Sequence, residues 1–455
     1  HSSKEAPLAT SLPEDAVQEG RWSAFAVVDL GKYSIFDFLG ITPPEGWRST
    51  LNSGYFDLPI EVEEWIYGIL NVGNDKYYRQ MRQFEEQTPQ EGVCFLDNFL
   101  TENQRGSLAR AIERLRASQA EPDYHPMSDN KVRDLVHPAL FSYVKGESPF
   151  FGSLDLASPD DSPKWLKERP GEHAQSPAED MWGRPYEDSK YQWLPTYFSV
   201  SLVGKVAIEG AINGIDRNAH PELYGELASL FQRALPLLEH AWTYGKHVKF
   251  FTEPDVPLDD LEMPLVEPLR GLRLQVITKI VDYELQLGQE YEGVWHVEGM
   301  SHENIVATAV YVAERDECIQ GGALRFKRAF TQYEGNHFFY EVPQERSHFV
   351  EEFAEVGTLP IGTLETLDNR LLVFPNSHVH KIGKMVNNGS GFGRRRIVVF
   401  FLVNPHVRIV STQEVPDQRN SMSLEQAKEH RLELMKERRL HKQDWNVRDL
   451  NLCEH

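Results

Sequence analysis

A histidine and a glutamate stand two residues apart in the segment WHVEG, at His296 and Glu298. On a β-strand, residues i and i+2 point to the same face, so this imidazole and this carboxylate would project together. They supply two of the three ligands of the 2-His-1-carboxylate triad, which binds Fe(II) and leaves coordination positions open. Such a pair is common by chance, so predicting a metal site also requires a third ligand, a histidine from a later strand.

The best candidates for this third ligand are His378 and His380, which follow the turn sequence Pro-Asn-Ser and begin a strand predicted at 378–386. Strand alternation places them on the same face and does not separate them. Ile382 continues the strand inward from His380, so His380 is the favoured ligand and His378 the alternative. The other downstream candidates are His302, which lies beyond the end of the HxE strand, His337 and His348, which flank a segment that reads as a connection, and His406.

Three consecutive arginines open the last predicted strand, at Arg394, Arg395 and Arg396. The Gly/Asn-rich stretch before them predicts a hairpin, which would make 378–386 and 394–403 antiparallel neighbours. One arginine would then lie three residues from His380, roughly 10 Å at about 3.3 Å per residue. A guanidinium at that distance can hold the far carboxylate of a five-carbon diacid that chelates iron at its other end. Arg394 and Arg396 share one face of the strand, and Arg395 takes the other.

The elements that must position these residues are short strands. Runs rich in Val, Ile, Phe and Tyr, mostly bounded by Gly, Asn, Pro or Asp, succeed one another without intervening helix patterns. They span 272–285, 293–299, 304–314, 321–328, 336–342, 369–375, 378–386 and 396–405. This spacing favours an antiparallel sandwich or jelly roll over a parallel α/β sheet. The predicted fold class is α+β, with a double-stranded β-helix (jelly-roll, cupin-like) core and a largely helical N-terminal half packed around it.

The predicted organisation has four parts. They are a flexible N-terminal arm at 1–20, a mixed and mostly helical region at 21–265 with a loop-rich excursion at 145–190, a jelly-roll catalytic core at 266–415, and a C-terminal helix and tail at 416–455. Within the second part, apolar spacing predicts helices at 98–119, with Thr101 as N-cap, and at 217–243.

Charge and composition restrict the function. The formal net charge of -22 disfavours binding to nucleic acid or to an anionic membrane, because an acidic chain repels phosphates. The three cysteines form no CxxC pair, which suits a reducing compartment and excludes a Cys-rich zinc module. The sequence shows neither a signal peptide nor an apolar stretch of transmembrane length, so a cytoplasmic location is expected. The charged helix predicted at 421–440 suits the protein surface or a contact in a homodimer.

Four segments, taken in order, resemble the core of the Fe(II)/2-oxoglutarate-dependent oxygenases. They are LQVITKIVDYELQLGQEYEGVWHVE, ATAVYVAERDECIQGGALRF, NRLLVFPNSHVHKIG and RRRIVVFFLV. In that superfamily a strand leads to an HxD or HxE pair, a later strand ends in a Gly-Gly turn and an apolar-x-Phe, and a distal histidine and an arginine follow. The closest resemblance is to a mainly fungal family known only as a domain of unknown function. It extends to 134–147, 192–215 and 220–242, and so spans roughly residues 60–415.

The resemblance implies that His296, Glu298 and His380 are the catalytic iron ligands. It implies that Arg395, with Arg396 as the second candidate, binds the distal carboxylate of 2-oxoglutarate. The implied cofactors are Fe(II), 2-oxoglutarate as cosubstrate and O2, used to oxidise a small-molecule substrate, with secondary metabolism as the expected setting. Two departures from the family pattern are the glutamate ligand, where aspartate is commoner, and the arginine triplet. Since Glu298 fills the carboxylate position, a halogenase is not expected.

Two other functions remain open from the sequence. One is a cupin-like metalloenzyme, a dioxygenase or isomerase, that does not use 2-oxoglutarate. The other is a jelly-roll protein that binds a ligand or partner without catalysis.

Overall fold

The computed structural model describes residues 91–149, 189–248, 261, 265–329, 331 and 358–447. The predicted arm at 1–20, the predicted strand at 336–342 and most of the excursion at 145–190 lie outside these residues. The proposed division into four parts stays a prediction.

Antiparallel strands dominate the described residues. In chain order they are β1 (Cys94–Leu96), β2 (Val132–Val136), β3 (Tyr143–Val144), β4 (Tyr191–Gln192), β5 (Thr196–Val200), β6 (Val206–Glu209), β7 (Arg273–Leu285), β8 (Glu290–Tyr291), β9 (Ile305–Arg315), β10 (Ile319–Gly321), β11 (Leu324–Ala329), β12 (Thr358–Leu364), β13 (Leu371–Pro375), β14 (Val379–Ile382), β15 (Met385–Asn387) and β16 (Gly393–Val403). The helices are α1 (Glu102–Ser118), α2 (Pro221–His247), α3 (Gln418–Ser421) and α4 (Leu424–Val447).

A large sheet has the strand order β1-β13-β9-β16-β7-β5-β6, and β2 also pairs with β7. A smaller sheet, β12-β11-β14, is extended by an antiparallel bridge between His380 and His296. From β7 to β16 the chain passes repeatedly from one sheet to the other, and side chains of both sheets share one apolar core. The protein is therefore a mixed α/β structure built on a curled antiparallel sheet, in line with the jelly-roll prediction.

Strand β16 separates two cores because its side chains alternate. Val398 and Phe400 belong to the core that the large sheet forms with α1 and α2, where the Phe400 ring lies 5.3 Å from the Phe231 ring of α2. Val399 and Phe401 face the other way, into the core between the two sheets. Since both faces are buried, the strand is apolar from Ile397 to Val403, as is typical of the central strands of a sheet.

The predicted hairpin before β16 is wrong. Among the described strands, β16 pairs with β7 and β9, whereas β14 pairs with β11 and β15 pairs with β10 and β8. The intervening loop crosses from the small sheet to the large one. The side chain of Asn387 holds this crossing by donating to the carbonyls of Leu285 and Gly391, at 2.8 and 2.7 Å.

Both predicted helices are confirmed. Thr101 caps α1 through a capping box with Gln104. Helix α2 begins with Pro221 in its first turn, where a missing backbone N–H costs nothing, and it buries one face against the large sheet. Between 91 and 248 the described residues combine these helices with short strands, so this part is mixed. Of the described helices, none has an apolar stretch long enough to cross a bilayer.

Candidate metal centre

Two imidazoles and one carboxylate converge between the two sheets. The Nε2 atoms of His296 and His380 each lie 3.5 Å from Oε1 of Glu298. The candidate ligand atoms of the three residues all lie within 4.8 Å of one another, and the two rings are 4.5 Å apart. The three residues that sequence spacing selected are therefore neighbours in space, arranged as a 2-His-1-carboxylate group.

Hydrogen bonds fix the direction of both rings. Nδ1–H of His296 donates to the carbonyl of Val294 at 2.7 Å, and Nδ1–H of His380 donates to the carbonyl of His378 at 3.2 Å. With Nδ1 carrying the proton, the lone pair of each ring is on Nε2, which faces Glu298. Metal-binding histidines use the same device, in which the second ring nitrogen donates to a backbone carbonyl.

The group is walled on one side and open on the other. The Phe374 ring stands edge-on to the His380 ring at 4.6 Å, and Phe326, the strand partner of His380, packs behind both. The side chain of His380 is 4% exposed, that of Glu298 13% and that of His296 33%. An incoming molecule would thus approach the group from the side of His296.

The charges match the needs of a metal site. Burial favours the neutral form of Glu298, but the positive charge and the Nε2–H groups that His296 and His380 carry when protonated outweigh it, so the pKa of this carboxyl lies well below its usual range. Burial, reinforced by the neighbouring His296, lowers the pKa of His380. A charged carboxylate beside a neutral imidazole is the protonation state in which these residues bind a cation.

The structure brings His380, and not His378, to this group. His378 lies in the turn before β14, its Nε2 is bonded to the carbonyl of Glu91 at 2.7 Å, and its ring packs edge-on to Tyr244. Burial lowers the pKa of His378 to about 3. Because His378 precedes the strand, the expectation that it shares a face with His380 is wrong.

The other histidines considered from the sequence lie elsewhere. Nε2 of His302 is 2.9 Å from the carbonyl of Tyr191, and the ring of His406 is 5.7 Å from that of Trp242. His337 and His348 fall outside the described residues.

Arg395 turns into the core between the sheets. It pairs with Tyr283 on β7 and lies over the ring of that residue, with 4.6 Å from its guanidinium carbon to the ring centre. Its Nη1 donates to the carbonyl of Gly322 at 2.8 Å and to Oγ1 of Thr366 at 2.9 Å. Its Nε is buried without a hydrogen-bond partner, and no carboxylate of the described residues lies within salt-bridge distance. Burial, together with the nearby Arg315, lowers the pKa of Arg395.

The two flanking arginines face the helices and are paired with acids. Arg396 forms a two-point ion pair with the fully buried Asp282, at 2.6 and 2.7 Å, and also contacts Glu113. Arg394 contacts Glu314 at 2.7 Å and Glu113 at 2.9 Å. Of the triplet, Arg395 therefore turns into the core between the sheets, whereas Arg394 and Arg396 form ion pairs on the other face of the strand.

A second group with the same composition was missed by the sequence reasoning: His125, Asp134 and His137. Here Oδ2 of Asp134 accepts hydrogen bonds from Nδ1 of His125 at 3.0 Å and from Arg431 at 3.4 Å. The backbone N–H of Ala139 donates to Nδ1 of His137, which leaves the ring proton on Nε2. Nδ1 of His137 and Oδ2 of Asp134 therefore already accept hydrogen bonds, whereas Oδ1 of Asp134 is buried without a hydrogen-bond partner.

The fold and the site together define a protein of antiparallel sheets with a 2-His-1-carboxylate group. A family profile described as a protein of unknown function (DUF4246) matches residues 64–264 and 262–426. These ranges cover most of the chain, which therefore belongs to this family. Curated proteins include no sequence that matches it.

Solved structures give distant likenesses. IDO from Bacillus thuringiensis is 8% identical, with 73% of this chain and 96% of that one covered and a TM-score of 0.31. A prolyl hydroxylase from Trichoplax adhaerens, in complex with a hypoxia inducible factor peptide fragment, is 11% identical, with coverage of 78% and 93% and a TM-score of 0.27. A Pseudomonas putida prolyl-4-hydroxylase is 11% identical, with coverage of 69% and 93% and a TM-score of 0.28. Scores this low leave the function to be judged from the site itself.

Proposed function

We propose that the protein is a non-haem Fe(II) oxygenase that uses 2-oxoglutarate as cosubstrate and oxidises a small molecule by hydroxylation, desaturation or a related reaction. One observation carries the proposal. A half-open group of two imidazole nitrogens and a carboxylate lies in the same core as a buried guanidinium, Arg395, that has no acidic partner among the described residues.

The residues present fit the metal. His296 and His380 present neutral nitrogen donors, and Glu298 presents one negative charge, which is the donor set of Fe(II) oxygenases. These three side chains would hold the ion on one side and leave the side next to His296 open. When bound, iron, 2-oxoglutarate and O2 supply the oxidising chemistry, and the protein supplies placement and exclusion of water.

Arg395 supports a carboxylate ligand. An ion buried without a counter-charge costs several kcal/mol, and Arg395 is 1% exposed. Its hydrogen bonds go to the neutral acceptors Gly322 and Thr366, which hold the side chain without cancelling its charge. The distal carboxylate of 2-oxoglutarate would cancel that charge, and a guanidinium can bind it at two points. The substrate would then occupy the open side of the group.

The experiment measures succinate formed from 2-oxoglutarate in the presence of Fe(II) and O2, for the wild type and for His296→Ala. The expected result is turnover by the wild type and none by the variant. The matched control is His302→Ala, because this histidine lies six residues further along and bonds to the Tyr191 carbonyl instead.

The other functions predict different outcomes. If the wild type binds metal but not 2-oxoglutarate, the proposal is overturned in favour of a metalloenzyme without cosubstrate. If it binds neither, the protein is a non-catalytic binding protein.

A further inference from the structure

The short turn between β13 and β14 contains Asn376, four residues before His380. The backbone N–H of Asn376 donates to the carbonyl of Val306 at 2.9 Å, which ties this turn to β9. Asn376 is half-buried and is not itself within the metal group.

The side chain of Asn376 satisfies both backbone groups of Glu298. Oδ1 of Asn376 accepts the Glu298 N–H at 2.9 Å, and Nδ2 donates to the Glu298 carbonyl at 2.9 Å. The second hydrogen on Nδ2 donates to the carbonyl of Ile305 at 3.0 Å. The amide thus replaces the strand partner that Glu298 would have in a regular ladder, and it uses its acceptor and both donors to do so.

This arrangement connects the two chain segments that carry the metal group. His296 and Glu298 come from one segment, His380 comes from the other, and the described contacts between them include the bridge of His296 with His380 and the amide of Asn376. The bridge sets the distance between the two imidazoles. The amide sets the position of the carboxylate relative to both.

We infer that Asn376 is a positioning residue for the metal group and fixes the Glu298 carboxylate at the place where it completes the site with His296 and His380. The inference rests on the metal centre of the proposed function. A metal site tolerates displacements of only about 0.5 Å in its ligands, so one amide with three hydrogen bonds to the neighbouring backbone is a strong constraint.

The chemistry of the amide makes the inference specific. An aspartate at this position keeps an acceptor for the Glu298 N–H but has no hydrogens for the carbonyls of Glu298 and Ile305. It would also place a negative charge against two carbonyl oxygens. The change Asn376→Asp therefore removes the constraint while hardly altering the size of the side chain.

The experiment titrates the metal-free full chain with Co(II) and follows the visible absorption of the bound ion, which reports both affinity and ligand geometry. For Asn376→Asp we expect metal binding about 10- to 100-fold weaker, the usual effect of losing a residue that orients a ligand, with an altered spectrum. The matched control is Asn388→Asp, an exposed asparagine whose amide bonds to Gln320 and which should bind Co(II) as the wild type does.

Thermal unfolding of the metal-free proteins separates positioning from folding. If Asn376→Asp lowers the unfolding temperature but binds Co(II) with wild-type affinity and spectrum, Asn376 is only a structural residue and the inference is overturned. If that variant does not fold, Asn376→Ser decides by the same two measurements. A wild type that binds no Co(II) would instead overturn the metal centre itself, whereas a wild type that binds and an Asn376 variant that binds equally well would overturn this inference alone.

Discussion

Replacing Arg395 by methionine should separate ligand binding from stability. The side chain loses two hydrogen bonds and its contact with the Tyr283 ring, each worth about 1 kcal/mol. The same change removes a buried cation that has no acidic partner among the described residues, and such an ion costs several kcal/mol. These contributions offset each other, so the free energy of unfolding of the ligand-free protein should change by no more than about 2 kcal/mol.

The matched variant is Arg396→Met, at the next position of the same strand. Arg396 is paired at two points with Asp282, which is 0% exposed, and its removal leaves a buried carboxylate with weaker contacts to Arg116 and Arg394. Breaking a buried pair in this way costs about 3–5 kcal/mol. Because Arg116 and Arg394 remain near Asp282, we expect Arg396→Met to lower the free energy of unfolding by about 3 kcal/mol.

For the binding of 2-oxoglutarate, the two variants should have the opposite order of effect: Arg395→Met should weaken it and Arg396→Met should not. Two charged hydrogen bonds to a carboxylate contribute about 1.5–3 kcal/mol each, so Arg395→Met should raise the Kd for 2-oxoglutarate at least about 100-fold. Folded Arg396→Met should keep the wild-type Kd. Urea unfolding without ligand and a 2-oxoglutarate titration measure the two quantities. Equal destabilisation by both variants would refute the reasoning, since it would mean that Arg395 is as well compensated as Arg396.

Two further predictions concern histidines. His380→Ala should abolish binding of Fe(II), because it removes a nitrogen donor. His378→Ala should still bind Fe(II) but should lose about 1–3 kcal/mol of stability, because it removes a buried hydrogen bond to the carbonyl of Glu91. If His378→Ala loses the metal and His380→Ala keeps it, then His378 and not His380 is the ligand. Burial, reinforced by the positive charge of Lys279, holds the pKa of His137 well below its usual range, so below about pH 6.5 the unfolded chain binds a proton that the folded chain does not. The stability of the wild type relative to His137→Asn should therefore fall by about 1.4 kcal/mol per pH unit on acidification from pH 6.5, and parallel pH profiles from urea unfolding would contradict this.

The sequence predicted that His296, Glu298 and His380 lie together because each of them stands at the end of a recognisable pattern. His296 and Glu298 come with the spacing of a strand, and His380 follows a turn signal. The choice between His380 and His378 depended on where that strand begins. It begins at Val379, so alternation does not extend back to His378. A difference of one residue in a strand boundary is beyond what local propensity specifies.

The sequence did not show which of the three arginines turns into the core between the sheets. Alternation gave Arg395 a different face from Arg394 and Arg396, but the rest of β16 is apolar on both faces, so nothing in it identifies the inner one. The predicted hairpin was wrong for the same reason. A strand in the middle of a sheet pairs along both edges, and the partners of β16 are the long strands β7 and β9 and not its short neighbour in sequence.

Contacts between residues far apart in the chain could not be predicted from the local sequence pattern. Asn376 stands in a turn where asparagine is ordinary, and its bonds to Glu298 cross 78 residues of chain. Residues His125 and Asp134 meet across strands paired through Tyr124 and Arg133, a pairing with no clear mark in the sequence.

The apolar run of β16 also bears on how the strand finds its alignment during folding. When one face of a strand is polar, a slip by one residue buries the wrong side chains and is rejected, but a run of seven apolar residues after Arg396 resists such a slip only weakly. The arginine triplet does not help, because a slipped strand would still turn an arginine inward. The ion pair of Arg396 with Asp282 does discriminate in one direction, since a slip that places Ile397 opposite Asp282 leaves this buried carboxylate without its two-point partner. Charge complementarity at one end of the strand therefore selects among alignments that hydrophobicity leaves nearly equivalent.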